Sequence, residues 1–364
     1  MVGAREKGVS SLLAKREIPS LDGLRAVSIA LVIFSHCAYA MSRLYHGVPV
    51  SEISLLGQEG VDVFFVISGF LITHLLLKEF SFTGSISLKR FYLRRFFRIF
   101  PAFYVFLLVL GALALAGMIS LNTHSYICAA TYTYNYCRMS FGWLLGHCWS
   151  LSLEEQFYLL WPPCLVLLGK KRSTHLALAI IVLSPVSRGI SYFVLPSLRG
   201  LEGIMLHTRL DTIMFGCLIA LLHEHLTFHR FTARFLQPRL IVVCALLFLV
   251  ISPLAEARFQ AKYSWTVGYT LRGILVSIVL VYAMQNPLSP FGRILNTRVF
   301  RHVGVISYSL YLWQQLFTGP NAFWFPLNLI IILVCAEASF FLVERPAFLV
   351  RDRLEKTLRG FSLA

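Results

Sequence analysis

The stretch SLDGLRAVSIALVIFSHCAYA, residues 20–40, decides how this chain is read. Most of it is an apolar run long enough to cross a bilayer. Within it stand Arg25 and His36, which a bare membrane anchor does not need. At about 100° per residue the two share one helix face, roughly 16 Å apart along the axis. Arg25 then sits near one membrane surface and His36 in the opposite half. Ionisable groups at such depth are costly and face a bundle interior or an aqueous cavity. A histidine with access to a hydroxyl is a natural general base. An arginine suits a phosphate or a carboxylate. A long donor, anionic at one end and reactive at the other, fits a pair spaced this way, and coenzyme A thioesters have that shape. The structural alternatives are a snorkelling Arg25 and a hydrogen-bonded core His36.

The rest of the chain agrees with a membrane setting. Of its 364 residues, 57% are hydrophobic and 14% charged, where a soluble domain is nearer half and a quarter. A window of about 19 residues predicts an all-α integral membrane protein with ten spans. They lie near 22–43, 60–78, 99–118, 144–168, 174–196, 205–223, 240–256, 265–284, 303–319 and 323–343. With the N-terminus on side one, that side carries 24 Lys and Arg and the other 6, with 3 more in or beside spans. This positive-inside split predicts cytoplasmic N- and C-termini and a multi-pass protein of the cytoplasmic (inner) membrane. It also accounts for the net charge of +16 without nucleic acid. The expected layout is a cytoplasmic segment over 1–20, a membrane domain over 21–345 and a cytoplasmic tail over 346–364.

Ala38-Tyr39-Ala40 resembles a signal-cleavage site, but the stretch before it is too long for an n-region and has Arg25 at the foot of the apolar run. The eight cysteines include no C-x-x-C pair, so no metal site is expected. Cys128 and Cys137 are either free thiols or, in an oxidising compartment, a disulfide.

Other polar groups stand in or beside the apolar runs. GQEGVDVFFVISGFLIT (57–73) places Asp62 near the outer surface, as a site group or a helix cap. Ser68 lies about two turns deeper, outside any nucleophile elbow, and Gly69 favours close helix packing. SLKRFYLRRFFRIFPAFY (87–104) puts Arg95 and Arg98 on one face at i and i+3, where two guanidinium forks can clamp phosphates. Lys89 and Arg90 read as lipid anchors. CWSLSLEEQFYLLWP (148–162) carries Glu154 and Glu155 about ten residues inside a span. Ser150, Glu154 and Tyr158 form a polar stripe, with Trp149 and Trp161 as interface aromatics. Glu154 either orients His36, binds an acceptor, or pairs with Arg209 or Arg272. HTRLDTIMFGCLIA (207–220) sets Arg209 and Asp211 near the depth of His36, with Gly216 at a close crossing. VGVISYSLYLWQQ (303–315) offers Ser307 and Tyr308 either to a sugar or to neighbouring helices.

These segments, in this order, resemble the acyltransferase-3 family of integral membrane acyltransferases over about residues 18–350. The carrying motifs are LDGLRAVSIALVIFSH, GVDVFFVISGFLIT, FYLRRFFRIFPAFY, WSLSLEEQFYLLWP, RLDTIMFGCLIA, ISYSLYLW and the closing ERP at 344–346. The resemblance implies ten spans, a cytosolic acyl-CoA donor, and acyl transfer, often of acetyl, to a carbohydrate or glycolipid hydroxyl. Arg25 and His36 match its R-x10-H pair, Arg95 and Arg98 its R-x-x-R donor motif, and Glu154 its acidic position. Two departures are expected to matter. Gln314 stands where the family commonly has histidine, and the chain ends at 364 with no fused esterase-like domain expected.

The resulting expectation is an acyl-CoA-dependent O-acyltransferase with His36, Glu154 and Arg25 catalytic and Arg95 and Arg98 on the donor. Asp62, Ser68, Glu155, Tyr158, Arg209, Asp211, Ser307 and Tyr308 are then orienting or acceptor groups. No bound cofactor is expected beyond acetyl-CoA as substrate. The rival readings are a transporter or flippase for a lipid-linked sugar and an accessory subunit of a polysaccharide assembly complex. The first would show no acyl-CoA dependence, and in the second His36 and Glu154 could be changed without loss of chemistry.

Overall fold

A computed structural model describes residues 18, 20–44, 50–137, 142–195, 201, 203–223, 225–319 and 325–361. Among these residues the chain is helical, with no strand. Its helices are α1 (Leu21–Leu44), α2 (Val50–Thr83), α3 (Leu88–Leu115), α4 (Thr123–Ala130), α5 (Cys148–Val194) and α6 (Leu206–Leu222). Then come α7 (Leu226–Phe235), α8 (Pro238–Phe259), α9 (Ala261–Gln285), α10 (Pro290–Leu295), α11 (Arg298–Val305) and α12 (Ser307–Phe317). The last, α13, runs from Leu327–Ser339 through a π turn at Phe340–Glu344 into Arg345–Phe361. The expected N-terminal segment over residues 1–17 and the end of the tail at 362–364 lie outside the described residues.

Among the described residues, seven helices are long and apolar enough to cross a membrane. Four of the ten hydropathy spans take different forms, each with a local cause. The spans near 144–168 and 174–196 are two arms of α5, kinked at Gly169, whose φ of 70° and ψ of 172° leave the helical region. Glycine adopts that conformation at little cost. The span near 205–223 is α6, with 17 residues. The span near 303–319 breaks at Ile306 into α11 and α12.

The apolar side chains face two ways. Leu115, Leu159, Leu167, Val182, Phe193, Val242, Val334 and Leu342 are exposed on helices that would meet lipid, as a multi-pass membrane protein requires. Phe65, Phe70, Phe103, Phe106, Phe157 and Ile213 are enclosed. At the centre is α6, packed against α2, α5 and α9. Where α2 crosses α6, a Cβ on Gly69 would stand 2.0 Å from the Ile213 carbonyl oxygen, and one on Gly216 2.0 Å from that of Val66. Both glycines are therefore required for backbone contact, as small residues are at close membrane-helix crossings.

Burial of α6 explains its charges. Arg209 Nη2 lies 2.6 Å from Asp62 Oδ1, and Arg272 Nε 2.8 Å from Asp62 Oδ2. Arg272 Nη1 also reaches Glu59 and Glu256 at 3.2 and 2.8 Å. Arg188 grips Asp211 with two 3.0 Å hydrogen bonds, and Thr270 donates to the same carboxylate at 2.7 Å. Arg188, Arg209, Arg272, Asp62 and Asp211 are fully enclosed. Arg188, one of the six residues counted on the second side, is thus a core ion-pair residue. Trp161 is likewise corrected: it is buried, donating to Thr73 Oγ1 at 2.8 Å, and is no interface aromatic.

Candidate active site

Three helices bring cationic and acidic groups to one cavity. Arg25 comes from the second turn of α1, Arg95 and Arg98 from α3, and Glu154, Glu155 and Tyr158 from α5. Ser68, Ser150, Ser307, Tyr308 and Tyr311 complete its polar lining, and Phe64, Phe65 and Ile99 are among its apolar walls.

At one end Arg25, Arg95 and Arg98 converge, and among the described residues none of the three forms an ion pair. The Arg95 guanidinium lies 4.9 Å from the Tyr158 ring centre and that of Arg98 5.3 Å from the Phe348 ring. Aromatic faces hold a guanidinium in place without neutralising it. Three cations in a low-dielectric wall favour an anion, with the Glu154 and Glu155 carboxylates acting on Arg95 and that of Glu344 on Arg98.

Beyond the arginines runs a short hydroxyl relay. Ser68 Oγ donates to Glu154 Oε1 at 2.6 Å, and Tyr158 OH donates to Ser68 Oγ at 3.3 Å. Tyr308 is tied to the Ile99 carbonyl at 2.9 Å. At the far end Ser150 Oγ and Tyr311 OH are 2.5 Å apart.

His36 does not line this cavity. On α1, it meets α12 at Gln314, about one turn beyond the cavity-lining Tyr311, where its Nδ1 donates to Gln314 Oε1 at 2.7 Å and its ring meets Trp143 edge-on at 5.0 Å. The glutamine in the place of the family's usual histidine is therefore the partner of the candidate base. The expectation that Glu154 orients His36 is corrected, since Glu154 is engaged by Ser68 and His36 by Gln314.

The sequence reading missed a second histidine. His147 is buried, its Nδ1 donates to Gln315 Oε1, and that oxygen also accepts the His147 backbone N–H at 3.0 Å. His147 Nε2 is enclosed without a partner. Adjacent glutamines of α12 thus each hold one histidine. The signal was present: His147, Ser150, Glu154 and Tyr158 fall at i, i+3, i+7 and i+11, one helix face extended a turn upstream.

Asp62, Arg209 and Asp211 also stay outside the cavity wall, locked in the ion pairs described above. Ser68, Glu155, Tyr158, Ser307 and Tyr308 reach it, as do Arg25, Arg95, Arg98 and Glu154.

Comparison with known proteins gives this arrangement a context. A family model described as an acyltransferase domain matches residues 18–343. A provisionally named O-acetyltransferase of Staphylococcus aureus (strain COL) is 29% identical over 94% of this chain and 59% of its own length. The peptidoglycan O-acetyltransferase OatA of Listeria monocytogenes serovar 1/2a is 28% identical over 92% of this chain and 56% of its own. O-acetyltransferase OatA of Staphylococcus aureus (strain NCTC 8325 / PS 47) is 27% identical, with 93% and 58% covered. The chain thus spans under three-fifths of the length of these relatives. No solved structure matches it.

Proposed function

The chain belongs to the acyltransferase-3 family, and from that premise we propose that it is a membrane O-acetyltransferase moving acetyl from cytosolic acetyl-CoA to a carbohydrate hydroxyl of the cell envelope. The observation that carries this reading is the cavity with three unpaired arginines at one end and a carboxylate–hydroxyl relay beyond them. The names of the relatives support acetyl as the group and a carbohydrate such as peptidoglycan as the acceptor.

In this reading both termini are cytoplasmic and the chain crosses the cytoplasmic membrane ten times. The Lys and Arg asymmetry supports it, and so does the Gly169 kink, which Lys170, Lys171 and Arg172 follow directly. Arg95 and Arg98 take the donor's phosphates from the cytoplasmic side, and Arg25 takes the inner part of the donor. The thioester end extends past Tyr311 toward His36. With its Nδ1 proton engaged by Gln314, His36 presents a basic Nε2. The acceptor O–H gives its proton to Nε2 as its oxygen attacks the thioester carbonyl. The C–S bond breaks, the coenzyme leaves as thiolate and is then protonated. Glu154, held by Ser68, sits between the two ends to position donor or acceptor.

Binding of acetyl-CoA to the purified full chain in detergent micelles tests the donor assignment. Saturable binding that weakens at least about tenfold in Arg95→Ala and Arg98→Ala supports it. Binding that is absent, or the same in the variants, removes acetyl-CoA from this cavity and reopens the transporter reading.

A further inference from the structure

The connection between α3 and α5 carries a cluster that the proposed acyl transfer does not use. His124 and Cys128 lie on α4 at i and i+4, one above the other on a helix face. After α4 the chain reverses through Tyr132, which adopts a left-handed φ of 53°, a conformation uncommon outside glycine. The turn is closed by Thr133 N–H donating to the Cys128 carbonyl at 2.9 Å. It brings Cys137 back beside the helix. Cys137 Sγ then lies 3.1 Å from His124 Nδ1, and Cys128 Sγ 3.7 Å from the same nitrogen. All three donor atoms fall within 4.8 Å of one another.

We propose that His124, Cys128 and Cys137 form a binding site for a soft divalent cation, zinc. Tetrahedral zinc, with bonds of about 2.3 Å to sulfur and about 2.0 Å to nitrogen, sets its sulfur and nitrogen ligands roughly 3.6 Å apart and two sulfurs roughly 3.8 Å apart. The two observed sulfur–nitrogen separations match such an edge to within about half an ångström on that scale. Two nearby thiols alone would read as a disulfide pair. The imidazole nitrogen aimed at both supplies a third donor, and two thiolates with an imidazole select zinc over hard cations. His124 is exposed while Cys137 is buried, so the fourth position faces outward and water completes the shell. Thiols at 128 and 137 give up their protons on binding, as zinc ligation requires.

The site has a structural consequence. The segment it would close is fastened to α5 beside the candidate carboxylates: Tyr134 N–H donates to Ser152 Oγ at 3.2 Å, and Asn135 and Gln156 exchange hydrogen bonds at 3.0 and 2.9 Å. Ser152 and Gln156 flank Glu154 and Glu155 in sequence. Zinc would make this connection one rigid body against the helix that carries them.

The test uses the full chain purified in detergent under a phosphine reductant, loaded with zinc, desalted and analysed for metal. We expect about one zinc per chain, lost in His124→Ala and in Cys137→Ser. His124 is exposed, so its alanine variant keeps the assay informative should Cys137→Ser fail to fold. Cobalt in place of zinc should give a thiolate-to-metal charge-transfer band in the wild type and not in the variants. Zinc absent from the wild type, or retained equally by the variants, overturns the proposal. So does a Cys128–Cys137 disulfide, shown by peptide mapping of protein isolated from membranes without reductant.

Discussion

His36 and Gln314 are joined by a 2.7 Å hydrogen bond from Nδ1 to Oε1, across the interface of α1 and α12. The bond fixes the ring and commits the proton to Nδ1, which leaves Nε2 as the basic nitrogen. Gln314→Leu should therefore slow turnover. One neutral hydrogen bond contributes about 1 kcal/mol, so the expected fall in kcat is about five- to tenfold, with little change in acetyl-CoA binding. Steady-state kinetics at saturating donor check it, and an unchanged kcat would detach Gln314 from the base.

The arginine cluster should govern donor affinity and not the chemical step. Arg95→Ala and Arg98→Ala are expected to raise the KM for acetyl-CoA at least about tenfold, each removing charge-assisted phosphate contacts. Arg98→Lys should recover part of the loss, since charge is kept but the planar fork is not. A fall in kcat at unchanged KM would contradict the assignment.

Glu154→Gln keeps the shape of the side chain and an oxygen for Ser68 but removes the charge. Activity should drop about 100-fold or more if the carboxylate positions the reacting groups, while Ser68→Ala, which removes one hydroxyl partner, costs about tenfold or less. Measured acetylation rates at matched protein level decide the order. Equal effects would place the function in the hydroxyl relay and not in the carboxylate.

The buried ion pairs predict a stability phenotype separate from activity. Asp211→Ala leaves Arg188 enclosed and unpaired, which costs about 3–5 kcal/mol. The double change Arg188→Leu with Asp211→Leu should cost less than either single change, because no charge is left stranded. Thermal unfolding of the purified proteins in detergent reads both, and a double variant as unstable as the sum of the singles would contradict it.

At the crossing of α2 and α6 there is no room for a side chain. Gly216→Val should give little folded protein in the membrane, while Gly142→Ala, where a Cβ meets nothing within 4 Å, should fold normally. Yields of monodisperse detergent-solubilised protein compare them.

Much of this was legible in the sequence. That Arg95 and Arg98 share a helix face follows from helical periodicity, and Gly69 and Gly216 stood out as small residues on apolar spans. Hydropathy also found α6, but not its nature. Arg209 and Asp211 looked like candidates for chemistry because a window sees charge at depth and not the partner that neutralises it. Asp62, the partner of Arg209, comes from a helix distant in sequence, and Arg188, the partner of Asp211, from the preceding helix; only the packing shows these pairings. Gln314 and His147 were hidden differently. Gln314 was read as the loss of a histidine, although an amide oxygen also accepts a hydrogen bond. His147 sits in the turn before its helix, where the periodic stripe was cut short.

The most direct test of the account is transfer of labelled acetyl from acetyl-CoA into membrane glycans, comparing wild type with His36→Ala at equal protein level. The account predicts incorporation by wild type and a loss of about 100-fold or more in the variant, with the variant still inserted in the membrane. Equal incorporation by both proteins would contradict it and remove His36 from the chemistry.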